Sequence, residues 1–177
     1  MIDVDTYFME QAIKEAGKSS EPIKCGAVVV KDRKLISKAY NSQRASNNAT
    51  AHAEINAIIK AGKRLKNKNL DGCTIYCTTE PCIMCLSAMS FAKIKRLVYG
   101  VSLKDASQKG KLIDIDINSF LAKSPHKIKV VRNFMKEECG EIIKKDNPLK
   151  ELFGFGKKNK ITRQEFLETR HLLESKR

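Results

Sequence analysis

The chain has 177 residues, 42% of them hydrophobic and 31% charged, which fits one folded domain plus a short segment and excludes wholesale disorder. Its formal net charge of +14 favours a polyanionic partner such as nucleic acid, although surface lysines that only maintain solubility would give the same charge. No run approaches the roughly 18 uninterrupted apolar residues of a membrane span, so we expect no membrane association.

The amino terminus is acidic, and no apolar stretch follows that could act as a secretory signal. We therefore expect a cytoplasmic protein in which the six cysteines stay reduced. Cysteines in that compartment are metal ligands, nucleophiles or small core residues more often than disulfide partners.

The first third of the chain predicts a helix, a strand pair and a second helix. Apolar residues at helical spacing predict the first helix over residues 6–16. Residues 25–30 and 35–40 read as antiparallel strands around a polar turn. Residues 41–50 are polar and predict a loop, and a helical period resumes over 51–61.

A basic segment ends this second helix. It holds five cations within nine residues and no acid: Lys60, Lys63, Arg64, Lys66 and Lys68. We expect these side chains, together with residues 157–163, to contact a nucleic-acid backbone, with a solvated helix end as the alternative.

The remaining elements alternate between strand and helix. Residues 73–78 predict a strand, and Pro81 suits the first turn of a helix that runs to Phe91. Further strands are expected at 96–101 and 128–131, and a helix at 134–144. This alternation predicts an α/β layered fold. The prolines, glycines and lysines that follow suggest a domain over 1–147 and a basic helical extension over 148–177.

Two short motifs carry the chemistry. His52-Ala-Glu54 lies at the start of one predicted helix, and Pro81-Cys-Ile-Met-Cys85 at the start of another. Together His52, Cys82 and Cys85 can supply three ligands to one zinc ion, which leaves a fourth position for water, as a catalytic site requires. Glu54 is two residues from His52 and therefore on another helix face, so we expect it to move protons as a general acid and base. Cys73 and Cys77 are expected in the core.

The paired motifs resemble the cytidine-deaminase-like zinc superfamily, over about residues 7–145. The resemblance implies a three-layer α/β/α fold with a mixed five-stranded sheet, both motif helices on one face, one Zn²⁺ per chain and a homodimer. It also implies that Glu54 is the proton carrier of a hydrolytic nucleobase deaminase. Asn41 would bind the target base, and the backbone N–H of Ala53 would meet the oxygen on the zinc side.

Two branches of the superfamily fit the sequence. Residues 50–55, 80–85 and 126–130 resemble bacterial tRNA-specific adenosine deaminases, which implies conversion of a wobble adenosine to inosine in tRNA. The segment around Asp105 is nearer to guanine deaminases, where an acid helps to read the free purine. Net charge favours the RNA substrate, because a free base needs no cationic surface. Deamination of a free base stays open, as does a non-catalytic RNA-binding module that keeps structural zinc.

Overall fold

A computed structural model of the chain describes residues 3–106 and 115–144, without the side chain of Lys144. The predicted extension over 148–177 lies outside the described residues. In chain order the elements are α1 (Val4–Ala16), β1 (Gly26–Lys31), β2 (Lys34–Tyr40), α2 (Gln43–Ser46), α3 (Ala53–Leu65), β3 (Thr74–Thr79), α4 (Ile83–Phe91), β4 (Arg96–Val101), α5 (Ile117–Lys123), β5 (Lys129–Val131) and α6 (Lys136–Lys144). Within the described ranges, no helix is long and apolar enough to cross a bilayer.

The strands form one mixed sheet in the order β2-β1-β3-β4-β5. β1 pairs antiparallel with both β2 and β3, whereas β3, β4 and β5 run parallel to one another. The parallel pairs require crossover connections, and α4 and α5 lie in them. The predicted mixed five-stranded sheet is therefore confirmed.

The side chains of strand β1 are divided between two hydrophobic clusters, one on each face of the sheet. Ala27 and Val29 face the cluster that α3 and α4 cover, while Val28 and Val30 face the cluster that α1 and α6 cover. Successive side chains of a strand point to opposite faces, so a strand buried on both sides reads as a continuous apolar run. The three-layer α/β/α fold is confirmed, with both motif helices on one face.

Gly26 permits the close packing of α1 against the start of β1. A Cβ atom at this position would lie 2.0 Å from the backbone oxygen of Ala12. No other residue fits without displacing the helix, so the glycine fixes where α1 sits on the sheet.

The structure contradicts the sequence-based predictions at three places. Pro81 is not in a helical turn, because α4 begins at Ile83 and Cys82 is its N-cap with extended backbone, φ −68° and ψ 169°. A four-residue helix, α2, occupies part of the predicted loop over 41–50, and α5 was not predicted. Cys73 and Cys77 are buried in the core, as expected.

Candidate metal centre and active site

The two motifs meet at one end of the sheet. The parallel strands β3 and β4 end there, β2 leads there into Asn41, and β1 begins there after Cys25. In open α/β sheets, ligands bind outside the carboxyl ends of the parallel strands. The topology therefore places His52, at the start of α3, opposite Cys82, at the start of α4.

His52, Cys82 and Cys85 converge as predicted. The His52 Nδ1 atom lies 3.7 Å from Cys82 Sγ and 3.6 Å from Cys85 Sγ, and the two sulfur atoms are 3.7 Å apart. A tetrahedral zinc ion with ordinary bond lengths separates two sulfurs by about 3.8 Å and a sulfur from a nitrogen by about 3.6 Å. The donor set and its spacing therefore fit one zinc ion.

Helix starts hold these side chains in place. His52 and Cys82 are the N-caps of α3 and α4, and neither side chain bonds to its own helix backbone, so both remain available to a metal. Cys85 lies in the first turn of α4, where the helix dipole favours a thiolate.

His52, Cys82 and Cys85 are linked by hydrogen bonds that shift their pKa values. The hydrogen bond with Cys85, and then the one with His52, lowers the pKa of Cys82 to about 4. The same bond between the thiols raises the pKa of Cys85, and the bond with Cys82 raises that of His52. To hold zinc, Cys82 and Cys85 would have to be thiolates and His52 a neutral imidazole, so metal binding would be accompanied by proton release.

No fourth protein ligand is present in the described part of the chain. Only these three side chains form a group of His, Cys or carboxylate donors with ligand atoms within 4.8 Å of one another. A structural zinc site in which four residues fill every position is therefore not formed by the described residues.

Glu54 lies beside this group in the first turn of α3 and is 6% exposed. Burial raises the pKa of its carboxyl group to about 7, although the neighbouring His52 acts in the opposite direction. A carboxyl group with a pKa near the working pH can both accept and release a proton.

A cavity of about 250 Å³ is lined by two of the three ligands, His52 and Cys82, and by Glu54. Asn41 and Ala53 line it, as the predicted substrate contacts require. Several further lining residues were not predicted. They are Pro22, Ile23, Cys25, Gln43, Thr79, Glu80 and Leu103. Of these, only Glu80 belongs to a sequence motif, the one over residues 80–85.

Asn41 is buried and uses its amide to hold the cavity wall. Its Oδ1 accepts a hydrogen bond from the Cys25 N–H at 2.9 Å, and its Nδ2 donates to the Ile23 oxygen at 2.8 Å. A side-chain amide has two donors and two acceptor positions, so one of each remains for a substrate.

Asp105 is not among the residues that line the cavity. Its carboxylate pairs with Lys136 Nζ of α6 at 2.7 Å, and this hydrogen bond lowers its pKa. Leu103 is the residue of this segment that reaches the cavity, and its N–H donates to Glu80 Oε2 at 3.0 Å.

The basic cluster lies at the other end of α3 from His52, and all five side chains are exposed. Lys60 Nζ donates to the backbone oxygen of Lys38, and Arg64 donates to that of Ile36, both on the edge strand β2. These two cations therefore also cap a sheet edge. Lys63, Lys66 and Lys68 have no side-chain partner among the described residues.

This chain matches one family model and is similar in sequence to tRNA-specific adenosine deaminases. The family model described as "Cytidine and deoxycytidylate deaminase zinc-binding region" matches residues 2–101. The tRNA-specific adenosine deaminase of Buchnera aphidicola subsp. Schizaphis graminum is 40% identical over 141 residues, 78% of this chain and 91% of that protein. The tRNA-specific adenosine deaminase of Streptococcus pyogenes serotype M18 is 35% identical over 144 residues, 80% of this chain and 89% of that protein.

Solved structures with the same fold include one from a tRNA deaminase study and a guanine deaminase. One, from a study of A-to-I editing by tRNA:A34 deaminases at the wobble position, has a TM-score of 0.69 at 36% identity and covers 77% of this chain and 99% of that chain. The guanine deaminase from Nitrosomonas europaea has a TM-score of 0.65 at 20% identity, and the match covers 81% of this chain and 82% of that chain. At that identity the likeness shows the fold alone.

Proposed function

Because this chain belongs to the cytidine and deoxycytidylate deaminase zinc-binding family, we propose that it converts the wobble adenosine of tRNA to inosine by zinc-dependent hydrolysis. The observation that carries the proposal is the convergence of His52, Cys82 and Cys85 at metal-binding distances, with buried Glu54 on the wall of the same cavity. The tRNA substrate comes from the relatives, which are tRNA-specific adenosine deaminases at 35% and 40% identity.

Glu54 is the proton carrier of the proposed reaction. When bound, zinc lowers the pKa of a water molecule to roughly 7, so that a nucleophile is available at neutral pH. The Glu54 carboxylate would accept a proton from the attacking water and give it to the ring nitrogen beside the carbon under attack. It then carries the second proton to the departing amine, so adenosine and water become inosine and ammonia.

The other cavity residues hold the base. Asn41 offers its remaining amide donor and acceptor positions to the purine ring. The Ala53 N–H is one of the amides that a helix start leaves without an intrahelical partner, so it can donate to the oxygen that replaces the amine. Asp105 stays a weaker candidate, because it is ion-paired with Lys136 outside the cavity lining.

Adenosine in RNA is preferred over free guanine for two reasons. The relatives that share more than 30% identity act on tRNA according to their names, whereas the guanine deaminase shares only the fold. The net charge of +14 also suits the many phosphates of an anticodon stem-loop. We assign backbone contacts to Lys60, Lys63, Arg64, Lys66 and Lys68.

We also propose that the protein is a cytoplasmic homodimer. All six cysteines are free, which suits a reducing compartment where tRNA is found. The surface offered to a second copy is a groove of about 690 Å³ between α4 and α5, here called the α4–α5 groove. Its lining includes Ile83, Ser87, Phe91, Ile115, Phe120 and Lys123.

The proposed substrate is tested by measuring ammonia release from tRNA, an anticodon stem-loop, free adenosine and free guanine, together with inosine formation from the three adenosine substrates. We expect turnover of the two RNA substrates and none of guanine. Turnover of guanine with none on RNA would overturn the substrate assignment.

Glu54→Ala tests the role of the carboxylate in the same assay. The variant should lose about 10²- to 10⁴-fold in kcat while it keeps its zinc and its affinity for RNA. Glu137→Ala, an exposed acid on α6, is the matched control and should be unchanged. A non-catalytic RNA-binding module would show no turnover even as wild type, and neither substitution would change its RNA affinity.

A further inference from the structure

Gln43 is one of the residues that line the active-site cavity, and its amide oxygen is buried and has no hydrogen-bond partner among the described residues. Among the described residues only two buried side-chain oxygens lack a hydrogen bond, Gln43 Oε1 and Glu10 Oε2. The second belongs to α1 and lies near Glu138. Leaving a buried polar group unpaired costs about 1–3 kcal/mol, so such groups are rare in folded proteins. The position of Gln43 indicates a partner that enters the cavity from outside the chain.

The neighbours of Gln43 fix its backbone. On one side, the Asn56 amide of α3 donates to Ser42 Oγ at 3.2 Å and to the Tyr40 oxygen at 2.9 Å. On the other side, the Arg44 N–H donates to the buried carboxylate of Glu21 at 2.7 Å. The amide of Gln43 is therefore presented from a preorganised segment.

Gln43 directly precedes an exposed segment, and we therefore place it toward the outer end of the cavity. Every residue from Arg44 to Thr50 is exposed, whereas Asn41 and Glu54 on the same cavity are buried. The reacting ring must lie beside Glu54 and the metal ligands, so the sugar of the target nucleotide comes to the outer end. The cavity of about 250 Å³ is below the roughly 300–1,000 Å³ of sites for drug-sized ligands, which suits a single nucleoside.

We propose that Gln43 binds the ribose 2′-hydroxyl of the target nucleotide and so favours RNA over DNA. This inference rests on the proposed RNA substrate. An amide oxygen accepts only from a donor, and phosphate oxygens are acceptors, whereas the 2′-hydroxyl can donate. The hydroxyl is also an acceptor, so either end of the amide can bind it.

A double-mutant cycle, with two proteins and two substrates, tests the proposed contact between Gln43 and the 2′-hydroxyl. Wild type and Gln43→Met, which has similar length and no amide, are assayed on an anticodon stem-loop carrying either adenosine or 2′-deoxyadenosine at the target position. We expect wild type to lose about 5- to 10-fold in kcat/KM on the deoxy substrate, as one hydrogen bond allows. Gln43→Met should lose a similar factor on RNA and lose nothing further on the deoxy substrate.

Two control variants separate the contact from a structural effect. Gln43→Glu keeps an acceptor and should still discriminate between the two sugars. Ser46→Ala changes an exposed residue of the same helix and should behave as wild type. An equal deoxy penalty in wild type and Gln43→Met, or no penalty in wild type, would overturn the inference. Absence of any RNA turnover by wild type would instead overturn the proposed function.

Discussion

Two carboxyl groups of this chain have opposite pKa shifts because their surroundings differ. Burial dominates at Glu54 and raises its pKa, whereas at Asp5 the hydrogen bond from Arg96 dominates and lowers it. Asp5 Oδ1 lies 2.8 Å from an Arg96 guanidinium nitrogen and accepts from the Tyr76 hydroxyl at 2.7 Å. Asp5 is thus charged in the native state and ties α1 to β3 and β4.

Replacing Asp5 by Asn should lower the free energy of unfolding by about 1–2 kcal/mol at pH 7, because a charge-assisted, forked pair is removed. The pKa of Asp5 is lowered by folding, so its contribution is complete above its unfolded value of about 3.9 and disappears as pH falls through the lower folded value. Urea unfolding of both proteins at pH 7 and near pH 3 measures this difference.

The matched control for that prediction is Asp3→Asn, an exposed acid before the same helix, which should leave the stability difference near zero at both pH values. A gap between wild type and Asp5→Asn that stays constant from pH 7 to pH 3 would contradict the assigned ion pair.

At single residues, the sequence predicted the chemistry better than the shape of the cavity. His52, Glu54, Cys82 and Cys85 carry a signature that depends only on residue type and spacing. Gln43, Thr79 and Leu103 reach the cavity because separate strand ends meet there, which no local pattern encodes. The ion pair of Asp105 with Lys136 joins residues 31 positions apart and could not be foreseen either.

Among the elements, the strands and the long helices were predictable, and the short helices were not. The strand predicted over 96–101 has those bounds in the structure, and the helix predicted over 6–16 begins only two residues earlier. The short helices α2 and α5 were missed, because four and seven residues carry too little periodicity to distinguish a helix from a loop.

Helix α3 has the metal ligand His52 at its start and a cluster of exposed cations at its end. If the exposed side chains there bind RNA phosphates, Lys63→Ala with Lys68→Ala should weaken tRNA binding at low salt. The plot of log affinity against log salt should become shallower by about 0.7–0.9 for each phosphate that the variant no longer neutralises.

Filter binding at several salt concentrations measures that slope, and the double variant Lys14→Ala with Lys129→Ala, two exposed cations away from the end of α3, provides a control with the same change in charge. An equal slope in wild type and in the α3 variant would remove this helix from the proposed RNA surface.

At the scale of the whole molecule, the α4–α5 groove is the surface that we propose for contact with a second copy. Phe91 is 86% exposed there, and a large exposed apolar side chain beside a groove is typical of an interaction site. Helix α5 carries Asp116 at its start and Lys123 in its last turn. Antiparallel pairing of α5 with its copy about a two-fold axis would bring these opposite charges together.

We therefore expect wild type to have twice the chain mass of 19.9 kDa in light scattering and Phe91→Glu to have the mass of one chain. Ile59→Glu, at a half-exposed position of α3 outside the groove, should remain a dimer. A monomeric wild type, or a dimeric Phe91→Glu variant, would exclude this surface as the dimer interface.

The most direct measurement is zinc content per chain combined with X-ray absorption at the zinc edge, because it reveals how many sulfur atoms bind the metal. We predict one zinc ion with two sulfur ligands at about 2.3 Å and two lighter ligands at about 2.0–2.1 Å, only one of them an imidazole. The sulfur ligands should disappear in the Cys82→Ala, Cys85→Ala double variant. Three or more sulfur ligands, a second imidazole, or a protein that binds no zinc would contradict the account.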